Sequence, residues 1–491
     1  MAPIQQMLLG SSGGANPIDF FGVPSPGNGN AYSFGNYDSK GNFNVFFNNN
    51  SWTNVKIKVD GTVEWSKRFA SHSAGSFRTC DIGYNDILVC LGYTANDGLY
   101  LWGVSKDGAL LWNKKYEINS SSFPTTGNTF YFSNVSSAVK AMTAADVAII
   151  CVGYNDTSTN SATNTLLFTV KVTDGTFIGW GSSSSGSDGR GFKGINGFAA
   201  TINTGSTTGY WGCVSEDVTG SGNNQAQYRS WRLKGTFYTA DHSGDKDILN
   251  SGSVNGFKIS NDSWDGRVLF EVADALKTSS ASNIDSATTW AGYRNKSGTW
   301  SGTYSGMLVN NSWTGTPYKV DPGGRSWIYG VAKLDSSTYF LAMYYISYNG
   351  DTGVTLLVRV SNNSVTWCKR LKTKDSSNND QQLIPKKLYV DVNGNKGMLI
   401  CALNFTPTMM MAQFDTGATA PSNGTYTFDS GVGSVTVDNH SVSMSTWNRS
   451  NVSSNVGWRY GASHEFKPEN TTWSTQSLTD ASKGLSIKEW T

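Results

Sequence analysis

Three segments far apart in the chain are variations on one another, and this self-similarity constrains the fold more than any other feature. KVDGTVEWSKRF (58–69), SKDGALLWNKKY (105–116) and VSNNSVTWCKRL (360–371) share a two-residue turn, a tryptophan five positions after the turn's first residue, then a basic pair and an apolar residue. Trp65, Trp112 and Trp367 are therefore equivalent, and KVTDGTFIGW, with Asp174, Gly175 and Trp180, is a looser copy. Asp-Gly or Asn-Asn between β-patterned runs supplies the positive φ values that a tight hairpin requires, so each copy is expected to be strand, turn, strand.

A second register point lies upstream of each hairpin, where a strand ends in an Asp or Asn turn before an apolar run. Asp38, Asp81, Asp146, Asn203, Asp285, Asp335 and Asp391 mark seven units with a mean spacing of about 59 residues. The downstream turns at Asp60, Asp107, Asp174, Lys234, Asn310, Asn362 and Asp415 follow their markers by about 22 to 31 residues. Each unit thus reads as four antiparallel strands. Their apolar runs, such as LVCLG and IICVG, are too continuous for a sheet wet on one face. Sheets covered on both faces by copies of themselves imply a radial arrangement, and seven units close a ring. The expected fold is an all-β, seven-bladed β-propeller of four-stranded antiparallel blades over 31–425. An open array of β-sandwiches explains the alternation but not the constant internal spacing.

The repeat resembles a bacterial β-propeller repeat. The likeness rests on Gly41-Asn42 and Gly394-Asn395, on Gly92-Tyr93-Thr94 and Gly153-Tyr154, and on Leu111-Trp112-Asn113-Lys114, and it covers 31–425. It implies a fold and almost nothing about function, because propellers host enzymes, lectins and scaffolds alike.

Two segments flank the repeats. Residues 1–30 read as an extended N-terminal arm, with a small apolar plug at Ile4, Met7, Leu8 and Leu9 followed by a Gly/Pro tether. Residues 426–491 carry alternating strand-like segments, SVTVDNHSVSMSTW and VGWRYGASHEF, expected to complete the ring, to extend it, or both.

The chemistry the chain lacks is informative. Charged residues make up 15% of the 491 and the net charge is +2, with no basic run, so no nucleic-acid footprint is expected. No stretch approaches the roughly 20 apolar residues of a spanning helix, so membrane insertion is not expected. Cys90, Cys151, Cys213 and Cys401 recur inside the apolar runs of four units and read as buried small hydrophobes; Cys80 and Cys368 could pair, but nothing favours it. Without C-x-x-C or an export signal, the thiols fit assembly in a reducing cytoplasm. The four histidines, His72, His242, His440 and His464, show no metalloprotease spacing. DHSGDKD, with Asp241, His242, Asp245 and Asp247, reads as a solvated connecting loop, and DVNGNKG (391–397) as a turn, since Gly is misplaced for a calcium loop and Ala402 stands where an acid is needed. No metal, no cofactor and no catalytic constellation is expected.

Two features are candidate binding elements. Trp52, Trp264, Trp300 and Trp313, flanked by Asn, Ser, Gly or Thr, are placed to stack on sugars. The basic pairs Lys67-Arg68, Lys114-Lys115 and Lys369-Arg370 read first as charge protecting an outer edge strand, and second as cations facing an anionic polysaccharide. Sparse charge, a Gly/Asn/Ser/Thr-rich β composition and an apolar arm on a glycine tether together resemble tailed-bacteriophage virion proteins. That resemblance implies a non-enzymatic tail appendage or fibre component, assembled in the host cytoplasm and docked on other virion proteins through its arm, with host surface polysaccharide as a further partner. A capsid decoration protein and a bacterial surface lectin are the alternatives.

Overall fold

The computed structural model describes residues 18–23, 31–48, 52–58, 62–69, 76–94, 98–118, 130–131, 137–142, 146–156, 163–183, 195–202, 208–218, 226–236, 253–259, 271–272, 290–294, 305–309, 317–347, 352–391, 395–403, 409–427, 433–446, 449–455, 458–459, 466–470, 475–477 and 488–489. These residues form seven antiparallel sheets. Blade 1 comprises Ala31–Tyr37, Phe43–Asn48, Trp52–Ile57 and Val63–Phe69, and blade 2 comprises Ser76–Ile82, Leu88–Thr94, Gly98–Val104 and Leu110–Ile118. Blades 3 to 6 repeat the meander over 130–183, 195–259, 271–321 and 324–375.

The first strand of each blade packs against the first strand of the next, from Ala31–Tyr37 through to Leu383–Asp391 of blade 7. This is the radial order of a propeller, with first strands innermost. The chain is a β-propeller.

The sheets of blades 2 and 6 are buried on both faces, for the reason the apolar runs suggested. In blade 2, Leu88 and Cys90 join Phe46 of blade 1 in one core, while the alternating Val89 and Leu91 join Val139, Ala148 and Ile150 of blade 3 in another. The same alternation places Tyr339, Leu341 and Met343 of blade 6 against Val320 of blade 5, and Phe340 and Ala342 against Leu388 and Leu399 of blade 7. The core is therefore a set of seams between blades, and no blade can bury its apolar faces alone.

The repeat tryptophan staples neighbouring blades. Trp65 Nε1 donates to the Lys106 carbonyl (2.9 Å) in the turn between strands three and four of blade 2, and Trp112 Nε1 donates to the Val172 carbonyl (2.8 Å) at the matching place in blade 3. Trp367 reaches the Gly417 carbonyl of blade 7 at 3.5 Å. The turn glycines answer two demands at once. Gly108 and Gly175 have φ of +83° and +68°, and a Cβ there would stand 2.9 Å from Trp65 and 2.6 Å from Trp112, closer than real Cβ contacts allow.

The hairpins depart from a uniform two-residue turn. Asn362 and Asn363, with φ of 49° and 60°, form one, closed by Ser361 opposite Ser364. The Asp107 copy is a longer loop in which Ser105 N donates to the Ala109 carbonyl and only Gly108 has positive φ. The Asp174 copy is longer again, spanning Lys171 to Thr176. Lys234 is not a turn residue at all: it lies inside the strand Ala226–Thr236, opposite Tyr210. Asp60, Asn203, Asp285 and Asn310 lie outside the described residues.

Blade 7 differs most from expectation. Leu383–Asp391, Lys396–Leu403 and Met409–Asp415 supply three strands, and the fourth is Ile18–Val23, paired from Ile18 opposite Phe414 to Val23 opposite Met409. These six residues belong to the ring and not to a tether. Ile18 and Phe20 are fully buried in the seam with blade 6, because alternate residues of this strand meet the same apolar face as Phe414 and Leu399. Since Ala31–Tyr37 opens blade 1, residues 24–30 covalently join the last blade to the first.

The C-terminal segment is a belt. Gly433–Asn439 pairs with the fourth strand of blade 6, Ser443–Thr446 with blade 5, Arg449–Asn455 with blade 4 and Trp458–Arg459 with blade 3. Phe466–Asn470 then pairs with blade 2, Thr475–Ser477 with blade 1 and Lys488–Glu489 with the N-terminal strand in blade 7. The four-stranded blades thus become at least five-stranded, and the belt runs once around the ring against the order of the blades. Twist explains how one chain can do this. Successive strands rotate by about 20–25°, so a fifth strand lies roughly perpendicular to the first and follows the rim. The belt advances one blade per about nine residues, which reach at most about 30 Å when extended.

Candidate functional site

The outer rim of blade 6 gathers the densest polar chemistry among the described residues. Its fourth strand, Ser364–Asp375, alternates between the two seams: Cys368 faces the blade 5 core and Leu371 the blade 7 core. That alternation sends the cations Lys369, Arg370 and Lys372 to the belt. Arg370 makes a two-bond fork to Asp438 (2.9 Å each), and Lys372 Nζ shares the same carboxylate at 2.7 Å. Lys369 Nζ donates to Asn423 and Asn439 Oδ1, both at 2.7 Å. In blade 2 the register places Lys115 opposite the belt's Glu469.

The basic pairs therefore do not protect a free edge. Each lies on a strand already covered, Lys67-Arg68 opposite Ser477 and Gln476, Lys114-Lys115 opposite Asn470 and Glu469, and Lys369-Arg370 opposite Asn439 and Asp438. In blade 6 they are the groups that receive the belt. Sequence reasoning placed these cations on the correct strand but missed Asp438, whose partner Arg370 lies 68 residues away; its place within the alternating SVTVDN run was the one available signal.

Two belt groups titrate. Burial acts to raise the Asp438 pKa, but Arg370 and Lys372 outweigh it and hold the carboxyl below its usual range. His440, which packs at a tilt against Tyr345 (4.9 Å between centroids, 49°) and bonds the Pro322 carbonyl through Nε2 at 3.1 Å, is held below the usual imidazole value by burial; the Pro322 bond and Asp438 oppose this, and Arg370 and Lys372 add to it. Both shifts favour the fold at high pH. The His440 contribution is full above the unfolded imidazole value of about 6.5 and declines as pH falls through its folded value, and the Asp438 contribution declines further below about 4. The urea midpoint is therefore expected to fall in two steps between pH 7 and 3. Asp438→Asn should shrink the lower step, to which Asp38, Asp321 and Asp335 also contribute, and lower stability at pH 7 by about 1 kcal/mol, as a partly exposed bidentate pair suggests.

Beside this seam lies a cleft of about 330 Å³ lined by Tyr345, Ser347, Thr352, Arg370, Lys372 and Asp380 among others. Its cations are engaged by Asp438, and Asp380 faces Lys374 at 3.7 Å. The cleft offers hydroxyls and an amide.

Other carboxylates form joints. Asp38 is buried with Lys56 (2.8 Å), whose ammonium also donates to the Lys106 carbonyl of blade 2. Burial pushes the Asp38 pKa up, and Lys56 and Asn42 reverse this to hold it below the usual range. Asp81 accepts from Ala141 N of blade 3 (2.9 Å), and Asp86 takes both Ser39 N (2.8 Å) and Ser39 Oγ (2.6 Å) of blade 1. Among the described residues no group of three His, Cys, Asp or Glu side chains could hold a metal ion.

Cys90, Cys151, Cys213 and Cys401 each lie in the second strand of a different blade, and Cys90 and Cys401 are fully buried thiols with pKa raised by burial, that of Cys401 to about 12. Cys80 stands opposite Cys90 within blade 2, and Cys368 is in blade 6, so those two do not meet. In DVNGNKG, Asp391 stands opposite Lys396 and Asn395 has φ of 53°, while 392–394 lie outside the described residues. Trp52 begins the third strand of blade 1, between Asn48 and Phe69. Trp264, Trp300, Trp313, the DHSGDKD loop and the plug residues Ile4, Met7, Leu8 and Leu9 lie outside the described residues.

No protein-family model matches the chain, and no curated protein does. Among solved structures it is similar to the Dos1 propeller (8% identity, TM-score 0.37, covering 78% of this chain and 76% of that one). It is also similar to Saccharomyces cerevisiae Sqt1 (8% identity, TM-score 0.38, covering 81% and 98%).

Proposed function

We propose that the protein is a non-enzymatic structural and binding component of a bacteriophage virion, a tail appendage or fibre protein that docks on other virion proteins through residues 1–17. The observation that carries this reading is the belt. Pairing strands from a single terminal segment to all seven blades covers the outer edges, which are the surfaces most prone to uncontrolled pairing in a particle holding many copies. The charged groups of the described joints, Asp38 with Lys56 and Asp438 with Arg370, bind blade to blade and belt to blade, as a load-carrying ring requires.

The arm's anchorage follows from Ile18–Val23. The arm leads directly into a strand paired in blade 7, so a partner holding the arm would be joined covalently to the ring. Burying Ile4, Met7, Leu8 and Leu9 on a particle would contribute about 1.5 to 3 kcal/mol each, multiplied in effect when many copies assemble. Deleting residues 1–12 is expected to abolish incorporation into particles while melting and hydrodynamic size stay at the full-length values, since Ile18 and Phe20 remain. Normal incorporation of that deletion would remove the arm from the mechanism.

A further inference from the structure

The innermost strands of five blades carry an irregularity of one kind. Pairing to the second strand skips one residue between Ala31 and Ser33, Phe77 and Thr79, Ile195 and Gly197, Ile328 and Gly330, and Pro385 and Lys387. A bulge places one unpaired residue on the strand and re-aims it away from the regular alternation. The residues so placed are Tyr32, Arg78, Asn196, Tyr329 and Lys386. In strands whose regular positions feed apolar seams, none of the five is aliphatic and none is acidic. Two are phenols and two are cations.

Tyr329 packs edge-on to Tyr344 (6.5 Å between centroids, 81°), and Tyr344 in turn lies against Trp327 at 5.5 Å, so blade 6 offers an aromatic group on its inner strand. Tyr344 itself is fixed from behind: a Cβ on Gly353 would collide with its hydroxyl, and Gly353's carbonyl accepts from Leu383 N at the start of blade 7. Three residues beyond Leu383 comes Lys386, half-buried near Cys401 and with no carboxylate partner among the described residues. Its ammonium is disfavoured by burial, with only the Cys401 thiol acting the other way, so an arriving anion would supply the counter-charge the fold omits.

We propose that the inner bulges of blades 6 and 7 form a binding site for an acidic saccharide, with Lys386 pairing its carboxylate and Tyr329, supported by Tyr344 and Trp327, stacking on the sugar ring. Aromatic faces suit the C–H-bearing faces of a pyranose, and the ammonium of Lys386 selects an anionic one. This site is separate from the arm, so it stands or falls independently of docking.

The probe is tetragalacturonic acid, titrated into the full-length protein by calorimetry against neutral maltotetraose. Saturable binding of the acidic tetramer is expected, weakening at higher salt, with maltotetraose at least tenfold weaker. Lys386→Met and Tyr329→Ala should each reduce affinity for the acidic tetramer tenfold or more. Lys386→Met keeps the aliphatic stem and removes an unpaired half-buried charge, so it should melt at or above the wild-type temperature. Equal binding of the two tetramers, affinity unchanged in both variants, or no binding of either tetramer would overturn the proposal. So would a poly-glutamate peptide that binds with the same residue dependence while the saccharide does not.

Discussion

Removing residues 424–491 is expected to leave a ring that still assembles but melts well below the full-length protein and self-associates with concentration. The seams between blades 1, 2 and 3 are built from the blades' own residues, such as Phe46 with Leu88 and Leu91 with Val139, so the blades retain that mutual cover. What disappears is local to the rim. Val435 and Val437, fully buried in the blade 6–blade 7 core, account by themselves for about 3–6 kcal/mol of apolar burial. Every fourth strand then becomes an open edge, a template for pairing with another copy. Lys67-Arg68 and Lys114-Lys115 would at that point act in the protective manner their composition suggested, slowing such pairing without preventing it. Light scattering after size exclusion, with thermal melting at two concentrations, checks this. A monodisperse truncation with the full-length melting temperature would show that the belt is ornamental.

Replacing Phe20 by Ala should destabilise the ring by about 3–5 kcal/mol, the range for a large aromatic removed from a closed core. Phe20 is fully buried, lies 4.8 Å from Tyr426 between ring centroids, and sits in the strand that joins blade 7 to blade 1 through the chain. Its loss acts at the closure, so the variant should unfold first at blades 7 and 1, with hydrogen exchange accelerating at Met409–Asp415 before Val354–Ser361. Deleting residues 1–23 removes the whole strand and should prevent a stable ring, whereas deleting 1–12 should not touch it. The contrast between the two deletions separates a docking role of the arm from a folding role of the strand. Uniform exchange across all blades in Phe20→Ala would mean that closure is not the weak point.

The belt and the closing strand meet on the same blade. Phe21 and Gly22 pair with Glu489 and Lys488, so the C-terminal strand covers the N-terminal one after circling the ring. The last strand of the belt can dock there only once Ile18–Val23 is in place, which orders the two events.

Much of this was legible in the residues. The repeat of about 59 positions, the equivalence of Trp65, Trp112 and Trp367, and the burial of both sheet faces are periodic properties, and periodicity survives without coordinates because each blade obeys the same local rules. The role of the tryptophan as blade packing came through for the same reason, and the indole bonds to Lys106, Val172 and Gly417 only name its partners. Turn geometry was less legible. Asp-Gly and Asn-Asn both announce a reversal, but the number of residues in the loop depends on bulges such as the shift between Gly103 and Val104, which no dipeptide encodes.

Partner choice was decided by the tertiary structure alone. A six-residue strand such as Ile18–Val23, or the short segments from Gly433–Asn439 to Lys488–Glu489, has no local preference for one sheet edge over another, since backbone hydrogen bonds are the same at every edge. Only the closed ring presents one vacant edge beside Met409–Asp415 and an unbroken series of outer edges within about nine residues' reach of one another. The sequence by itself determined the blades and their mutual cover, because those follow from side-chain pattern. The closed geometry decided which end of the chain completes the ring, which end encircles it, and therefore that the basic pairs hold a belt, because those follow from which edges are left to fill.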